Sequence, residues 1–161
     1  MSQKKTVEQI AKMRRAGLLV WEAHRLAAGM VRPGVTTGEI DAAVEALIVS
    51  RGAVSLFKGV PGTVPFPAAT CISVNEVVVH GIPSEIPLKE GDIIGLDFGV
   101  IKDEWHADGA WTYPVGDVSS EAQRLLNVSR ALAARTSTAP DDAHPRADIV
   151  ELPSWGDALD G

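Results

Sequence analysis

The chain has 161 residues, of which 45% are apolar, 5% aromatic and 22% charged, and its formal net charge is −6. This length and apolar content predict one globular domain with its own core, and they exclude a disordered chain. The acidic balance argues against nucleic acid or an anionic membrane as a partner, because neither would be attracted to such a surface.

Three features favour a cytoplasmic location. The first residues lead directly into a polar amphipathic segment that lacks the apolar core of a signal peptide. No stretch approaches the roughly 18 uninterrupted apolar residues of a membrane span. Cys71 is the single cysteine, so no internal disulfide can form, which is typical of a reducing compartment.

A long amphipathic helix is predicted at the start of the chain. The capping-box pattern Thr6-x-x-Gln9 opens it, and apolar residues recur at helical spacing as far as Gly29. His24 lies on or beside the apolar face of this helix. We interpret it as a packing histidine, although a functional role is the alternative.

A second helix and a loop follow. The capping box Thr36-x-x-Glu39 opens the helix, which closes at Gly52. From Ala53 onward, glycine and proline residues predict a long irregular loop. We expect this loop to form a wall of a pocket.

Four strands and a third helix are predicted after the loop, because β-branched and aromatic residues alternate with turn residues. The predicted strands are Cys71–Val74, Val77–His80, Asp92–Ile101 and Glu104–Tyr113. Lys102-Asp103 is the predicted two-residue turn of the last pair, and Ser120-x-x-Gln123 caps the third helix. This order predicts an α+β fold in which helices cover one face of an antiparallel sheet.

The end of the chain has a different composition. Residues 135–161 carry six acidic and two basic residues, and prolines interrupt every candidate element. Such a segment buries too little apolar surface to order itself. We therefore expect a domain over residues 1–134, followed by an acidic, proline-rich, disordered tail over residues 135–161.

Two aspartates in the predicted hairpin are the candidate functional residues. With the turn at Lys102-Asp103, Asp97 and Asp108 become direct cross-strand partners on one face, with Cβ atoms roughly 5 Å apart. Two carboxylates at that distance repel by roughly 3 kcal/mol at an effective dielectric near 20. A shared proton, a neighbouring Arg or Lys, or a bound divalent cation would offset this repulsion. The alternative is that each aspartate only makes local hydrogen bonds at a strand end.

A family resemblance favours the cation. The segment from Ala69 to Pro83, which reads ATCISVNEVVVHGIP, resembles the substrate-side signature of type I methionine aminopeptidases. Matching motifs follow in the same order: LKEGDII from Leu88, then Leu96-Asp97, then His106-Ala107-Asp108. The resemblance runs from about Thr6 to Ala134. It implies half of a pita-bread fold, which is a barrel of two similar halves.

The resemblance also implies roles for particular residues. Asp97 and Asp108 match the first two ligands of a dinuclear site for Mn, Fe, Co or Zn ions, and carboxylate oxygens suit such metals. His80 matches the histidine that hydrogen-bonds the substrate near the scissile peptide bond. Cys71 and Phe66 match positions that line the pocket for the methionine side chain.

The second half of the family's barrel supplies one histidine and two glutamates, and these have no match in this sequence. No Gly-His-Gly-Ile-Gly segment follows Asp108, and His144, Glu121 and Glu151 lie outside any similar motif. Two of five expected ligands remain, so we expect metal binding to be weak or absent. The loss of resemblance within a helix suggests a truncated or frameshifted reading frame.

The resemblance implies an enzyme, a metal-dependent aminopeptidase that removes N-terminal methionine from nascent proteins, with N-terminal Met peptides as its partners. The alternative is a non-catalytic binding module derived from the pita-bread fold, or an inactive fragment. In either case we expect an open sheet edge to favour self-association.

Overall fold

The computed structural model describes residues 4–138, with side chains described through residue 133. The fold is α+β, with three helices and one four-stranded antiparallel sheet in the described part of the chain. The elements are α1 Val7–Met30, α2 Thr37–Ser50, β1 Val54–Ser55, β2 Cys71–Val74, β3 Ile93–Lys102, β4 Trp105–Pro114 and α3 Ser120–Thr138. The predicted fold class is confirmed.

Local side-chain hydrogen bonds start the first two helices, as predicted. The hydroxyl of Thr6 accepts from the amide of Gln9 at 3.2 Å, and the Gln9 side chain accepts from the amide of Thr6 at 2.9 Å. Thr36 and Glu39 repeat this arrangement at 3.1 and 2.8 Å. Both capping boxes satisfy amides that would otherwise lack partners.

The third helix begins with a different serine from the predicted one. The hydroxyl of Ser119 accepts from the amide of Ala122 at 3.1 Å, and the carbonyl of Ser119 accepts from the amide of Gln123 at 2.9 Å. Ser120 is therefore the first helical residue and not the cap. The backbone of α3 continues to Thr138, past the expected domain boundary, and the rest of the expected tail lies outside the described residues.

Strand β3 is the centre of the sheet. Strands β1 and β2 pair with parts of it, and β4 pairs with its whole length. Strand β1 lies within the segment that the sequence predicted as irregular, and its Val54 is opposite Ile101. Within the described residues, β4 has no second partner strand.

One face of the sheet carries the core. Alternate side chains of β3 are 0% exposed and pack against α1 and α2: Ile94, Leu96, Phe98 and Val100. The facing side chains of α1 include fully buried alanines, which let the helix approach the sheet closely. The two helices therefore cover one face of the sheet, as predicted, and leave the other face for the aspartates. In residues 4–138, no helix is both long and apolar enough to cross a membrane.

The predicted strand Val77–His80 is wrong, because the segment is irregular. Asn75 at φ 51° and His80 at φ 57° both adopt left-handed backbone conformations, which interrupt an extended chain at each end of the segment. Val77, Val78 and Val79 are instead 44%, 88% and 62% exposed. The segment thus places valines next to the open side of the sheet without adding a strand.

Candidate metal and substrate site

The hairpin turn lies one residue later than predicted, and this changes how the aspartates pair. Asp103 at φ 50° and Glu104 at φ 68° form the turn, since two-residue hairpin turns of this hand need positive φ at both central positions. Asp97 is therefore opposite Ala110, and Asp108 is opposite Gly99. The predicted direct pairing of the two aspartates is wrong.

The two aspartates nevertheless lie on the same face, because the shift moved the pairing by two residues and side chains alternate with a period of two. They are diagonal neighbours on either side of the Phe98–Gly109 pair. Diagonal neighbours are roughly 7–8 Å apart at the backbone, within reach of side chains that lean towards each other. Their direct partners, Gly99 and Ala110, are small, and the side chain of Leu56 packs over Gly99, where a Cβ atom would lie 2.6 Å from Leu56 Cδ1.

The electrostatics show that the carboxylates interact. The pKa of Asp97 is raised, first by burial, then by the negative charge of Asp108 and by side-chain hydrogen bonding to it, while the imidazole of His80 acts in the opposite direction. None of the ion pairs formed by residues 4–133 includes either aspartate. The two carboxyl groups thus lie close together without a salt-bridge partner among residues 4–133, which is an arrangement that suits a cation.

Cys71 lies beside this pair on the opposite edge of β3. It is the direct partner of Asp97 in the β2–β3 ladder, and it is 6% exposed. Burial raises the pKa of the Cys71 thiol to about 11, with further contributions from Asp97 and Asp108. The thiol is protonated at neutral pH, so it can line a pocket but is a poor nucleophile or metal ligand.

His80 reaches the site from an exposed and strained position. Its neighbour Gly81 is held by two hydrogen bonds, one from its amide to the hydroxyl of Ser73 at 3.1 Å and one from the amide of Ile72 to its carbonyl at 2.9 Å. A Cβ atom at Gly81 would lie 2.2 Å from the carbonyl oxygen of Ile72, so only glycine fits. This contact fixes the backbone from which the imidazole extends towards Asp97.

A cavity of about 480 Å³ opens next to these residues. His80, Asp97 and Arg130 are the titratable residues that line it. Its other lining residues include polar and apolar side chains: Ser73, Asn75, Thr112, Ser129, Val77, Val78, Val79, Trp111, Leu125 and Leu126. Cys71, Asp108 and Phe66 do not line this cavity, although Cys71 and Asp108 neighbour Asp97 in the sheet. Phe66 lies elsewhere. It is half-buried in the loop before β2, where its backbone pairs with Val60 and Gly59. The structure thus brings together four of the five predicted site residues.

One anchoring residue escaped the sequence reasoning. A carboxylate oxygen of Asp41, on α2, accepts from both the amide and the hydroxyl of Thr70, at 2.8 and 2.7 Å. Thr70 is fully buried and directly precedes Cys71, so this contact holds the start of β2 against α2. The two residues are 29 positions apart, and no local pattern signals such a contact.

The described residues offer two candidate donors for a divalent cation. Within residues 4–133, no group of three or more His, Cys, Asp or Glu side chains could hold a metal ion. Asp97 and Asp108 supply two hard oxygen donors, which fits a divalent cation in type and charge but is too few for tight binding alone.

Comparison with known proteins gives consistent results. The chain is 43% identical over 125 residues to a methionine aminopeptidase of Clostridium perfringens, covering 78% of this chain and 49% of the relative. It is 42% identical to methionine aminopeptidase 1 of Bacillus subtilis over the same shares. The chain thus spans about half the length of the curated relatives it matches.

Solved structures show the same coverage. The crystal structure of methionine aminopeptidase from Rickettsia prowazekii superimposes with a TM-score of 0.79 at 36% identity, covering 84% of this chain and 53% of that chain. The enzyme from Thermotoga maritima gives 0.78 at 35% identity, with the same coverage. The described fold therefore corresponds to about half of the pita-bread fold. The model of metallopeptidase family M24 matches residues 11–141, and the chain belongs to this family.

Proposed function

We propose that this chain supplies the aspartate side of a methionine aminopeptidase site, which removes N-terminal methionine from nascent proteins. The observation that carries the proposal is the diagonal pair Asp97 and Asp108, two carboxylates on one face that form no salt bridge within residues 4–133. The similarity to methionine aminopeptidases supports the same assignment.

Each site residue has a role in this proposal. Asp97 and Asp108 hold divalent metal ions such as Mn, Fe, Co or Zn, which would supply an activated water as the nucleophile. His80 donates a hydrogen bond near the scissile carbonyl of a Met peptide, where negative charge develops. Cys71 and Phe66 contact the methionine side chain. The buried, protonated Cys71 thiol suits an apolar pocket.

In this proposal the remaining metal ligands are supplied from outside these 161 residues, because His144, Glu121 and Glu151 match no ligand motif. The 161-residue chain alone should then bind metal weakly, with at most one ion, and should have negligible activity on Met-Ala-type peptides. Calorimetry with Mn²⁺ and Co²⁺ tests the first expectation, and Asp108→Asn should abolish any binding. Two tight metal equivalents would contradict this incomplete ligand set.

A chimaera tests the function itself. Residues 1–134 of this chain, our proposed domain, would replace the matching half of the Clostridium perfringens enzyme. We expect metal-dependent release of methionine that Asp97→Asn or Asp108→Asn abolishes. Asp103→Asn is the matched control, because Asp103 lies in the turn of the same hairpin and asparagine tolerates its positive φ. An inactive but folded chimaera that binds metal would refute the proposal.

The second candidate is a non-catalytic binding module or an inactive fragment. It is favoured by the absence of a three-residue metal cluster among residues 4–133. A folded chimaera that binds Met peptides without cleaving them would support this candidate. Calorimetry with a non-cleavable Met peptide distinguishes it from a chimaera without any peptide site.

We also propose that the protein is cytoplasmic. We further propose that the isolated chain self-associates through the open side of its sheet. Val77, Val78 and Val79 are exposed beside the cavity, and β4 has no second partner strand among the described residues. Such an edge pairs readily with another chain. Size-exclusion chromatography with light scattering at micromolar concentration should show oligomers, and Val78→Lys should reduce them. A monodisperse monomer of the unaltered chain would contradict this.

A further inference from the structure

His24 lies directly behind the aspartate pair, on the helix-covered face of the sheet. Its ring stacks on Phe98 with centroids 4.4 Å apart, and its Nε2 is 3.0 Å from the carbonyl oxygen of Gly109. Phe98 and Gly109 are cross-strand partners. They follow Asp97 and Asp108 in the chain, so His24 contacts the centre of the diagonal that joins the two carboxylates.

The hydrogen bonds of His24 determine which nitrogen carries the proton. A carbonyl can only accept, so Nε2 must be the protonated nitrogen that donates to Gly109. In a neutral ring Nδ1 is then the acceptor, and the hydroxyl of Tyr113 donates to it at 3.0 Å, which is shorter than the 3.4 Å from this hydroxyl to the carbonyl oxygen of His24. Burial lowers the pKa of His24, which agrees with a neutral ring that has one N–H.

The position of Gly109 makes this contact possible. A Cβ atom there would lie 3.0 Å from Val20 and 3.7 Å from Nε2 of His24, so glycine lets α1 approach the backbone next to Asp108. Tyr113 lies on the same strand, four residues beyond Gly109. One helical side chain thus contacts β4 at two points and β3 at one.

We propose that His24 is a positioning residue, which holds the backbone of Gly109 so that Asp108 keeps its diagonal alignment with Asp97. This inference rests on the proposed function, because it concerns a proposed metal ligand. A side chain that fixes the strand carrying a ligand preorganises the ligand without touching the metal, and removal of such support typically weakens metal affinity about 10- to 100-fold.

The test compares four variants of the full chain. His24→Leu keeps an apolar side chain and removes the donor, whereas His24→Gln keeps an amide donor. Tyr113→Phe removes the hydroxyl that fixes the ring. Val44→Ala, a buried substitution on α2, is the control for a general loss of stability.

Three NMR readouts distinguish positioning from packing. Ring ¹⁵N shifts of His24 should show a protonated Nε2 and a bare Nδ1. The Asp108 carboxyl ¹³C resonance of the metal-free protein should move in His24→Leu, return in His24→Gln and stay unchanged in Val44→Ala. Mn²⁺-induced line broadening at Asp97 and Asp108, which detects weak binding, should require about tenfold more Mn²⁺ in His24→Leu.

The outcomes are separable. An unchanged Asp108 resonance in His24→Leu, the opposite tautomer, or an equal effect of Val44→Ala would overturn the positioning role. If the unaltered chain showed no Mn²⁺ broadening, the proposed metal site would fail, while the Asp108 resonance would still decide the role of His24. If His24→Leu did not fold, Tyr113→Phe should show a smaller change in the same direction, and no change would refute the proposal.

Discussion

The two faces of the sheet differ in what they do. On the helix-covered face, every inward side chain of β3 from Ile94 to Val100 is fully buried and apolar. On the other face, the same strand presents Asp97 between Gly95 and Gly99, beside a cavity and an exposed segment with a strained histidine. Burial of apolar side chains stabilises the first face. The second face carries two carboxylates that form no salt bridge within residues 4–133, and it lies beside the left-handed backbone of His80.

The covered face therefore stabilises the fold, whereas the other face carries the candidate functional residues. A carboxylate pair without a neutralising partner destabilises the folded state, and functional sites commonly carry such costs. The site is tolerated because its residues alternate with core residues on the same two strands. Removal of a core side chain from the covered face should therefore destabilise the fold, whereas removal of one charge from the aspartate pair should stabilise it.

The largest expected effect is on the covered face. Phe98→Ala removes a fully buried ring that also supports His24, and it should lower the free energy of unfolding by about 3–5 kcal/mol. Urea denaturation followed by circular dichroism measures this. Val78→Ala, at an 88% exposed position on the open side, is the control and should change stability by less than about 0.5 kcal/mol. Similar losses in both would remove the distinction between the faces.

A second substitution tests the strain on the open face. Gly81→Ala forces a Cβ atom against the carbonyl of Ile72, and should destabilise the chain by about 2 kcal/mol while shifting His80. Thermal melts and the NMR resonances of His80 report the two effects. Gly17→Ala is the matched control, since a Cβ atom there meets nothing within 4 Å and should instead stabilise α1 by roughly 0.5–1 kcal/mol. A neutral Gly81→Ala would disprove the close contact.

The smallest expected effect is a gain. Asp97→Asn removes a charge whose pKa is raised by burial and by Asp108, so the metal-free variant should be more stable at pH 7 by up to about 1 kcal/mol after solvent screening. The folded state binds this proton more tightly than the unfolded chain. The gain should therefore be complete above the folded pKa and should vanish as pH falls below the ordinary value of 3.8. Urea melts from pH 3.5 to 8 check it, and a loss of stability at pH 7 would contradict the uncompensated pair.

The parts of the fold that depend on short-range patterns could be predicted from the sequence. Thr6 and Thr36 start helices because their partners lie three residues away, and β2 and the hairpin strands follow from residue type. The sequence also predicts that Asp97 and Asp108 share a face, and they do. They are diagonal neighbours, however, and not the direct cross-strand partners that the sequence predicts. A shift of two positions in the pairing preserves the face and loses the direct contact.

The tertiary structure decided the rest. Asp103 is a residue type that turns favour, but Glu104 is not and adopts positive φ without being glycine, so the residue types do not place the turn at this pair. The valines from Val77 to Val79 favour a strand, but the left-handed residues at 75 and 80 interrupt it.

The sequence by itself determined the starts of α1 and α2, the alternating core of β3 and the aspartates on one face, because each depends on residues a few positions apart. Only the tertiary structure decided how α1 and α2 meet the site. His24 contacts Gly109, which is 85 positions away in the chain. Asp41 contacts Thr70, which is 29 positions away. Such contacts form because α1 packs on the sheet through small, buried side chains and α2 lies against the start of β2. The physical reason is that the geometry of these two contacts is set by how whole helices and strands pack together, which no local pattern of residues encodes.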